Sequence, residues 1–336
     1  MERGKKPYKV LVTRHVLSSC MDFLSEQGYE VIHTNDISEE HICSIVSDVD
    51  AILSRELKTT RRILDAAPKL KIIARFGVGT DMIDMSYATE RGVWVGVTPL
   101  ASPRSVAEHT MALLLACAKL IVPTANQVKQ DNWLYRNTVM GCDLEGKTIG
   151  LVGLGKIGRL VAKMVRGFDM RVVAYDVYLP ASEAPDGVVL LPTLKALLEQ
   201  SDFVSLHCPA TAETEGLIDR TAIAQMKPGA ILVNSSRGAL VDEQALYEAL
   251  VSGHLRAAGL DVSQTEPPIP DNPLLKLDNL ILTPHMAAVT DEAMYRMGMH
   301  AALCIDDVLR GKPPRWPANN PQINRPDESA QKEAAK

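Results

Sequence analysis

The sequence lacks the features that mark several large classes of protein. It has no excess of positive charge, because 36 Lys and Arg residues stand against 41 Asp and Glu residues and give a formal net charge of −5; a nucleic-acid-binding surface is therefore not expected. The six cysteines form no Cys-x-x-Cys pair, which argues against a zinc ribbon and against a disulfide framework, so no metal site is predicted.

Membrane and export signals are also missing from the sequence. Met1–Lys9 is charged and lacks the apolar core of a secretory signal. The longest apolar stretch, Met111–Val122, is interrupted by Lys119 and is too short to span a bilayer. We therefore expect a cytoplasmic protein that does not associate with membranes.

The composition is that of a globular protein with more than one core. Hydrophobic residues make up 46% of the chain and charged residues 23%, which are ordinary proportions. A length of 336 residues exceeds what one typical core supports and predicts about two domains.

Short apolar runs, rich in β-branched residues, alternate with helical patterns along the chain. The first series of such runs is Lys9–Thr13, Tyr29–His33, Ala51–Ser54 and Ile72–Phe76, with a helical pattern over Leu17–Gln27. The second is Thr148–Gly153, Arg171–Asp176, Phe203–His207, Ala230–Asn234, Ala257–Asp261 and Leu280–Thr283, which we interpret as a complete second sheet. Alternating strands and helices predict an α/β protein with two doubly wound parallel sheets.

Two further segments are predicted to be helical. Ser102–Val122 opens with a plausible cap followed by Pro103 and continues as a nearly all-apolar run. A helix that is apolar all round must be buried, here between domains or subunits. The second helix is Asp291–Arg310, and the polar tail after about residue 320 is predicted to be disordered.

A glycine-rich turn follows the first strand of the second series. Its residues are Gly153, Leu154, Gly155, Lys156, Ile157 and Gly158, and a helical pattern comes next. This strand–turn–helix context is the one in which Gly-x-Gly-x-x-Gly binds a dinucleotide. The first glycine permits the turn, the second lets the backbone approach the pyrophosphate, and the third lets the helix pack on the strand.

An acidic residue follows at the distance that this motif requires. Asp176 ends the strand Arg171–Asp176, close to the position where a carboxylate binds the ribose of the cofactor. Its alternative role is that of an ordinary loop acid or cap. A carboxylate there repels a 2′-phosphate, so the predicted cofactor is NAD rather than NADP.

Three polar residues follow predicted strands of the second series and form a sufficient set for hydride-transfer chemistry. Arg237 offers a bidentate fork for the carboxylate of a 2-keto acid. His285 is a proton donor with a pKa near neutrality. Glu266 is a carboxylate that would favour the charged imidazole.

Other residues at strand ends keep alternative interpretations open. His207 also ends a strand and is a rival for the catalytic role, although we favour its placement with Pro209 in a loop that contacts the cofactor. Ser235 and Ser236 are assigned to the cofactor in the same way. Glu266 could instead be a simple loop acid, and Arg237 a surface cation.

At these residues the sequence resembles the D-isomer-specific 2-hydroxyacid dehydrogenases. The matching stretches lie between about Arg75 and Glu292 and are Arg75–Asp84, Arg104–Glu108, Gly146–Gly158, Ser236–Glu243 and Gly259–Pro268. Within the family, the sequence looks most similar to the phosphoglycerate dehydrogenases. C-terminal-binding-protein corepressors also resemble this family and share the His, Glu and Arg.

The resemblance implies a domain plan and further site residues. It implies a flavodoxin-like substrate domain of residues 1–102 and 291–336, a Rossmann NAD domain of residues 103–290, and a cleft between them. It suggests that the backbone of Val78 and Gly79 binds the substrate carboxylate and that Asp261 meets the nicotinamide carboxamide. It also suggests a homodimer built on the NAD domains, with Ser102–Val122 in the interface.

The expected activity is hydride transfer between NAD(H) and a small D-2-hydroxy acid or 2-keto acid, with D-3-phosphoglycerate as one candidate. A second anionic group on the substrate would need cations besides Arg237, and Arg55 and Arg75 stand at predicted strand ends. The alternatives are a glyoxylate or hydroxypyruvate reductase and a dinucleotide-sensing, corepressor-like binding protein. Ala287-Ala288 stands where the family often has Gly-Gly, which leaves the substrate open.

Overall fold

The computed structural model describes residues 7–321 of the chain. These residues divide into two compact units, with boundaries between Ser102 and Pro103 and between Val289 and Thr290. The second unit is thus a continuous insertion into the first. The disorder predicted for the tail concerns residues that lie outside the described range.

The first unit is built on a five-stranded parallel sheet whose strands alternate with helices. In chain order these are β1 (Lys9–Thr13), α1 (Ser18–Glu26), β2 (Glu30–Thr34), α2 (Glu39–Ile45), β3 (Ala51–Ser54), α3 (Arg61–Ala66), β4 (Ile72–Arg75), α4 (Met85–Glu90) and β5 (Trp94–Gly96). The strands lie in the order β2-β1-β3-β4-β5, and every pair is parallel. This is the flavodoxin-like order.

The second unit contains a larger parallel sheet. Its elements are α5 (Pro103–Ala118), α6 (Ile121–Lys129), β6 (Thr148–Val152), α7 (Lys156–Val165), β7 (Arg171–Tyr175), β8 (Val188–Leu190), α8 (Leu194–Gln200), β9 (Phe203–Leu206), α9 (Arg220–Gln225), β10 (Ala230–Asn234), α10 (Glu243–Val251), β11 (Leu255–Leu260) and β12 (Leu280–Leu282). The chain then returns to the first unit as α11 (Asp291–Leu309), which packs on α1 and β4.

The strand order of the second unit identifies its architecture. The order β12-β11-β10-β9-β6-β7-β8 is that of a Rossmann sheet with one additional strand at the edge. The direction of winding reverses between β6 and β9, and ligands bind doubly wound sheets outside the carboxyl ends of the strands at such a point. The glycine-rich turn directly follows β6, so it stands at this position.

The predicted fold class of two parallel sheets is confirmed, but the prediction that six runs complete the second sheet is wrong. The sheet has seven strands, and the seventh is the three-residue edge strand β8. The first sheet likewise has a short edge strand, β5, that was not predicted. Both strands are too short to show a clear apolar pattern.

The prediction of one helix over Ser102–Val122, apolar on all sides, is also wrong. The helix α5 ends at Ala118, Leu120 adopts a left-handed conformation with φ 55°, and α6 begins at Ile121. Arg104, Glu108 and Ala112 form an exposed stripe along α5. The remaining faces of α5 pack against α7, β10 and β11 of its own unit, so its apolar surface needs no partner to be buried.

None of the helices within residues 7–321 is by itself long and apolar enough to cross a membrane. The pair α5 and α6 has the necessary length and composition when taken together, but the two helices are bent by 62°. Nine of the sixteen residues of α5 are buried within the protein.

Candidate active site

The loops after β10, β11 and β12 lie side by side at one edge of the second sheet. The three strands are neighbours in the order β12-β11-β10 and run parallel, so their carboxyl ends meet at the same edge. The first loop carries Arg237, the second carries Glu266, and the third carries His285. The parallel topology therefore brings together three residues that are distant in the sequence.

His285 and Glu266 form a direct hydrogen-bonded pair. Nδ1 of His285 lies 2.7 Å from Oε2 of Glu266, and the other carboxylate oxygen accepts the backbone N–H of Ser263 at 3.3 Å. The side chain of His285 is 52% exposed and that of Glu266 is 40% exposed, so a small molecule can reach the ring. Because Nδ1 faces the carboxylate, Nε2 is the ring nitrogen available to a reacting group.

The pair shifts both pKa values in the direction that favours an ion pair. The hydrogen bond to Glu266 raises the pKa of His285 above its ordinary value, against the opposing effect of burial. Burial alone would raise the pKa of Glu266, but the hydrogen bond and the charge of His285 outweigh it and hold that pKa below its ordinary value. Near neutral pH the imidazole is therefore biased towards its protonated form.

Arg237 acts electrostatically on the same pair. Its charge helps to lower the pKa of Glu266 and opposes the increase in the pKa of His285. Its guanidinium Nη1 donates to the carbonyl of Ser236 at 2.7 Å. The buried Asn234, at the end of β10, donates to the carbonyl of Arg237 at 2.8 Å and accepts the N–H of Ser236 at 3.0 Å. This amide fixes the backbone on which Arg237 stands.

A cavity of about 350 Å³ lies at this edge of the second unit. Its lining residues are Asp261, Ser263, Glu266, Pro267, Pro268, Leu282, Thr283, Pro284 and His285. The volume lies at the lower end of the range typical of small-molecule sites.

Asp261 holds the turn that carries His285. Its Oδ1 accepts the backbone N–H of Met286 at 2.9 Å and its Oδ2 accepts that of Ala287 at 2.8 Å, while its own carbonyl accepts the N–H of His285 at 2.8 Å. The turn needs this support because His285 has φ 50°, a conformation that costs roughly 1–3 kcal/mol for a residue other than glycine.

The carboxylate of Asp261 is 1% exposed and yet ionised. Burial alone would raise its pKa, but hydrogen bonds from His109, Thr283 and the two backbone N–H groups keep it below its ordinary value. The hydroxyl of Thr283 donates to Oδ1 at 2.5 Å. Nε2 of His109 lies 3.0 Å from that hydroxyl and 3.4 Å from Oδ1.

The glycine-rich turn has the geometry that its motif predicts. Gly153 has φ 94°, and a Cβ atom there would lie 2.8 Å from the backbone of His207 and Cys208. A Cβ atom on Gly158 would lie 2.4 Å from the carbonyl oxygen of Gly153. A Cβ on Gly155 would meet nothing within 4 Å. The third glycine thus allows close packing, while the second faces open space at the start of α7, which also contains Lys156 and Ile157.

Asp176 lies beside this turn. Its Oδ2 accepts the backbone N–H of Leu154 at 2.8 Å, and its Oδ1 accepts that of Tyr178 at 2.9 Å. The carboxylate therefore supports the conformation of the turn as well as placing a negative charge next to it. Tyr178 is 88% exposed.

His207 does not belong to the His285–Glu266 pair. Its Nε2 lies 3.0 Å from the hydroxyl of Ser205, and burial lowers its pKa to about 4. A ring that is neutral near pH 7 is poorly suited to donate a proton at that pH.

The remaining predicted cofactor residues surround the glycine-rich turn or lie next to β10. Ser236 donates to the carbonyl of Cys208 at 2.5 Å, and the hydroxyl of Ser235 lies 2.6 Å from that of Thr110. Pro209 is exposed, and its carbonyl accepts the hydroxyl of Thr214 at 2.7 Å.

Arg55 and Arg75 lie at the carboxyl edge of the first sheet, where the sequence predicted them. The guanidinium of Arg75 donates to the carbonyl of Gly79 at 2.9 Å, so it orders the loop that contains Val78. Arg55 donates to the carbonyl of His15 and lies 3.4 Å from Glu56.

Several residues at these edges were not found by sequence reasoning. Arg14 lies 3.3 Å from the carboxylate of Glu56 and adds a third cation at the edge of the first sheet. Asn234, Thr283 and His109 support the loops of the second unit. A strand-end position signals Asn234 and Arg14, whereas nothing in the linear pattern connects His109 to a site 174 residues further along the chain.

Residues 111–287 match the family model described as "D-isomer specific 2-hydroxyacid dehydrogenase, NAD binding domain". The chain belongs to this family. The match covers most of the second unit and includes the glycine-rich turn and His285.

Individual proteins that are similar to this 2-hydroxyacid dehydrogenase match the chain over both units. The chain is 42% identical to a D-3-phosphoglycerate dehydrogenase of Archaeoglobus fulgidus, over 95% of this chain and 60% of that protein. It is 41% identical to a hydroxypyruvate reductase of Thermotoga maritima, over 87% of this chain and 95% of that protein. The crystal structure of the TT0316 protein from Thermus thermophilus has a TM-score of 0.87 and 39% identity, and covers 93% of this chain and 100% of that chain.

The relatives differ in length. The chain spans 57–60% of the length of the D-3-phosphoglycerate dehydrogenases that it matches, but 94–95% of the length of the hydroxypyruvate and glyoxylate reductases.

Proposed function

We propose that this protein is an NAD-dependent dehydrogenase that interconverts a small 2-keto acid and the corresponding D-2-hydroxy acid. The observation that carries this proposal is the hydrogen-bonded pair of His285 and Glu266 at 2.7 Å, with Arg237 acting on both. An anion-binding cation beside a protonated imidazole is the arrangement that reduction of a 2-keto acid requires.

In this proposal each residue of the pair has a distinct role. Nε2 of His285 donates a proton to the carbonyl oxygen of the keto acid in the reductive direction and accepts it in the oxidative direction. Glu266 keeps the ring charged and fixes its orientation through Nδ1. Arg237 binds the substrate carboxylate and stabilises the negative charge that develops on the carbonyl oxygen.

The NAD cofactor fits the residues around the glycine-rich turn. Gly155 leaves open space at the start of α7, where backbone N–H groups and the helix dipole favour a pyrophosphate. When bound, the nicotinamide supplies or accepts the hydride. Asp176 is proposed to bind the adenosine ribose, and its negative charge beside the turn supports a preference for NAD over NADP.

The other predicted cofactor residues remain part of this proposal. His207, Pro209, Ser235 and Ser236 are proposed to line the cofactor-binding surface. Asp261 is proposed to meet the nicotinamide carboxamide, since a carboxylate oxygen can accept more than one hydrogen bond. The prediction that no metal takes part stays a prediction.

The test is a panel of 2-keto acids with NADH, followed by the loss of NADH absorbance, in the wild type and in His285→Ala. We expect turnover on at least one 2-keto acid and a loss of roughly 10²–10⁴-fold in kcat in the variant, because that is the usual contribution of a general acid. NADH binding should change little. A protein that binds NADH but turns over no 2-keto acid would support the binding-protein alternative instead, and near wild-type kcat in the variant would refute the role of His285.

We further propose that the substrate carries a second anionic group, as 3-phosphoglycerate does. Arg14, Arg55 and Arg75 lie at the carboxyl edge of the first sheet, where Arg14 and Arg55 pair with Glu56 and Arg75 donates to the carbonyl of Gly79. Guanidinium groups bind phosphate bidentately. In the first unit, Arg55 and Arg75 are the proposed ligands of the second anion, and the Val78–Gly79 backbone is proposed to bind the substrate carboxylate.

The ion pairs to Glu56 favour the second candidate, a reductase of glyoxylate or hydroxypyruvate that needs no second anion. Values of kcat/KM for 3-phosphohydroxypyruvate and pyruvate in Arg55→Ala and Arg75→Ala separate the two. In Arg55→Ala, loss of one charge-assisted hydrogen bond should cost roughly 1.5–3 kcal/mol, or about 10–100-fold, for the phosphorylated substrate only. In Arg75→Ala the same loss should add to a smaller one shared by both substrates, because Arg75 also orders the Val78–Gly79 loop. Equal losses on both substrates, or a wild-type preference for pyruvate or glyoxylate, would eliminate the second-anion site.

We also propose that the protein forms a homodimer through the NAD-binding domain. Support comes from α6 and the turn that follows it, since α6 contains no buried residue. Large apolar side chains that are 40–84% exposed lie on this segment: Ile121, Val122, Val128, Trp133, Leu134 and Met140. Apolar surface concentrated in this way is typical of a protein–protein interface. The proposed interface is thus centred on α6 rather than on α5.

A further inference from the structure

A chain of buried and half-buried polar side chains connects α5 to the turn that carries His285. It starts at His109 on α5, whose side chain is 20% exposed, and passes to the hydroxyl of Thr283 at 3.0 Å. The hydroxyl lies 2.5 Å from Oδ1 of Asp261. The carboxylate then accepts the backbone N–H groups of Met286 and Ala287, the two residues that follow His285.

The direction of the hydrogen bonds in this chain follows from its acceptor. An ionised carboxylate can only accept, so the hydroxyl of Thr283 must donate to Asp261. The oxygen of that hydroxyl is then an acceptor towards His109, and Nε2 of His109 must carry a proton. Nε2 of His109 also lies 3.4 Å from Oδ1 of Asp261, so His109 supports the carboxylate both through the hydroxyl and by its proximity.

This support is needed because the carboxylate is isolated from water. Asp261 is 1% exposed, and a buried charge that loses a donor is strongly penalised. The strained backbone at His285, with φ 50°, is held by the carboxylate and by the carbonyl of the same aspartate. Rotation or protonation of the Asp261 side chain would therefore weaken its hydrogen bonds to the N–H groups of Met286 and Ala287. The carbonyl of Asp261 would still hold the turn through the N–H of His285.

We propose that His109 is a positioning residue for His285. It acts on His285 indirectly, through the hydroxyl of Thr283 and the carboxylate of Asp261. This inference rests on the proposed function only for its kinetic readout, because the placement of the imidazole is also measurable without turnover.

The kinetic test first compares two variants of His109 and one control variant with the wild type. His109→Leu removes the donor at similar size, His109→Gln keeps an N–H donor on a flexible side chain, and His254→Leu is the matched control. His254 lies in the same unit and also hydrogen-bonds through Nε2, to the carbonyl of Ile223 at 2.9 Å, but that contact is remote from the chain described above.

We expect kcat of His109→Leu to fall by roughly 10–100-fold, because a small displacement of a reacting group can have an effect of that size. His109→Gln should recover most of the loss, and His254→Leu should keep wild-type kcat. Thr283→Val combined with His109→Leu should cost no more than the worse single variant, since both interrupt one chain.

The second readout is the titration of His285 by NMR in the protein without substrate, with its signal identified by its absence in His285→Ala. In the wild type the pKa is raised by Glu266. In His109→Leu it should fall towards the ordinary value, because the turn no longer holds the ring against Glu266.

The two readouts separate failure of this inference from failure of the proposed function. If the wild type turns over no 2-keto acid, the proposed function is wrong and the NMR titration alone decides the role of His109. The positioning role is overturned if His109→Leu leaves the His285 titration at its wild-type pKa. It is also overturned if the wild type is active and both His109 variants are equally impaired, or neither is.

Discussion

Gly238 lies where two loops of the candidate site pack closely together. This residue follows Arg237 directly, and a Cβ atom placed on it would lie 2.0 Å from the carbonyl carbon and oxygen of Ser263. Ser263 lies in the loop that carries Glu266, and its N–H donates to the Glu266 carboxylate. A single methyl group at position 238 would therefore clash with the backbone of Ser263 and force the loop that carries Arg237 away from the loop that carries Glu266.

The displacement can be worked out from this geometry. An ordinary van der Waals contact of a Cβ atom begins at 3.4 Å, so Gly238→Ala must separate the two backbones by about 1.4 Å, the difference between 3.4 Å and 2.0 Å. Neither backbone is a flexible side-chain end that could turn away. A misplacement of about 1 Å can cost 10²-fold in rate, and overpacking costs about 1–3 kcal/mol in stability.

The assay for Gly238→Ala is kcat/KM with the best 2-keto acid, together with NADH binding and thermal unfolding. We expect kcat/KM to fall by at least about 10²-fold, while the variant stays folded and binds NADH. Gly167→Ala is the matched control, since a Cβ at Gly167 meets nothing within 4 Å and its φ is not positive. A folded Gly238→Ala protein with wild-type kcat/KM would refute the reasoning.

Three further predictions concern pH dependence, cofactor preference and assembly. Because Glu266 raises the pKa of His285, reduction should persist until the pH rises through that raised pKa. In Glu266→Gln the alkaline fall in kcat/KM should move to lower pH, and an unmoved profile would contradict this. Asp176→Asn removes the charge but keeps an oxygen that can accept the N–H of Leu154, so the ratio of kcat/KM for NADH over NADPH should decrease, and a wild type that uses both cofactors equally would exclude a selective role. Light scattering at micromolar concentration should give twice 36.7 kDa, and Leu134→Asp, at a residue that is 66% exposed, should lower that mass; a monomeric wild type would exclude the dimer.

The pH dependence of stability has opposite signs for the two members of the catalytic pair. The raised pKa of His285 gives a contribution that is present at low pH and is lost as the pH rises through the folded-state value. The lowered pKa of Glu266 gives a contribution that is present at neutral pH and is lost as the pH falls through its folded-state value. Both groups are more than a third exposed, so solvent screening keeps these contributions small.

Central strands were predictable because they are buried on both faces. Ala51–Ser54 and Ala230–Asn234 are continuous apolar runs ended by a polar residue, and the structure assigns the same bounds to β3 and β10. The edge strands β5 and β8 have only three residues each, and such a length leaves no periodic signal. A strand that is buried on both faces can thus be predicted from the sequence.

The break in the long apolar segment could not be predicted in the same way. No proline or glycine stands between Ala118 and Ile121, and the turn depends on Leu120 in a left-handed conformation. A leucine is an uncommon residue for that region. The segment Ala118–Lys119 packs beside Gly141, where a Cβ would lie 2.8 Å from the carbonyl oxygen of Ala118, so a tertiary contact rather than a local signal marks the end of the helix.

In the candidate site, too, some residues could be predicted from the local sequence and others only from tertiary contacts. The glycine-rich turn was legible because its glycines occupy one short segment and each has a local geometric reason. The pairing of His285 with Glu266 was inferred from chemistry and strand-end position. The supporting residue His109 was not found, because its partner Thr283 is 174 residues away in the sequence. Asn234 was not found either, although its strand-end position signals it and its side-chain partners, Ser236 and Arg237, are close in the sequence.

The order of the strands explains how the loop that carries Arg237 and the loop that carries His285 are held in fixed positions relative to each other. The N–H of Asp261 donates to the carbonyl of Asn234 at 2.8 Å, so the two buried residues are joined directly where β10 and β11 end. From this junction the Asn234 amide fixes the backbone that carries Arg237, and the Asp261 carboxylate fixes the turn that carries His285. Both side chains are about 1% exposed. Water therefore cannot replace their hydrogen bonds unless the edge of the sheet opens. Changes of substrate specificity should therefore arise in the exposed parts of these loops, while the junction itself is constrained by the need to present a cation and a proton donor to one substrate.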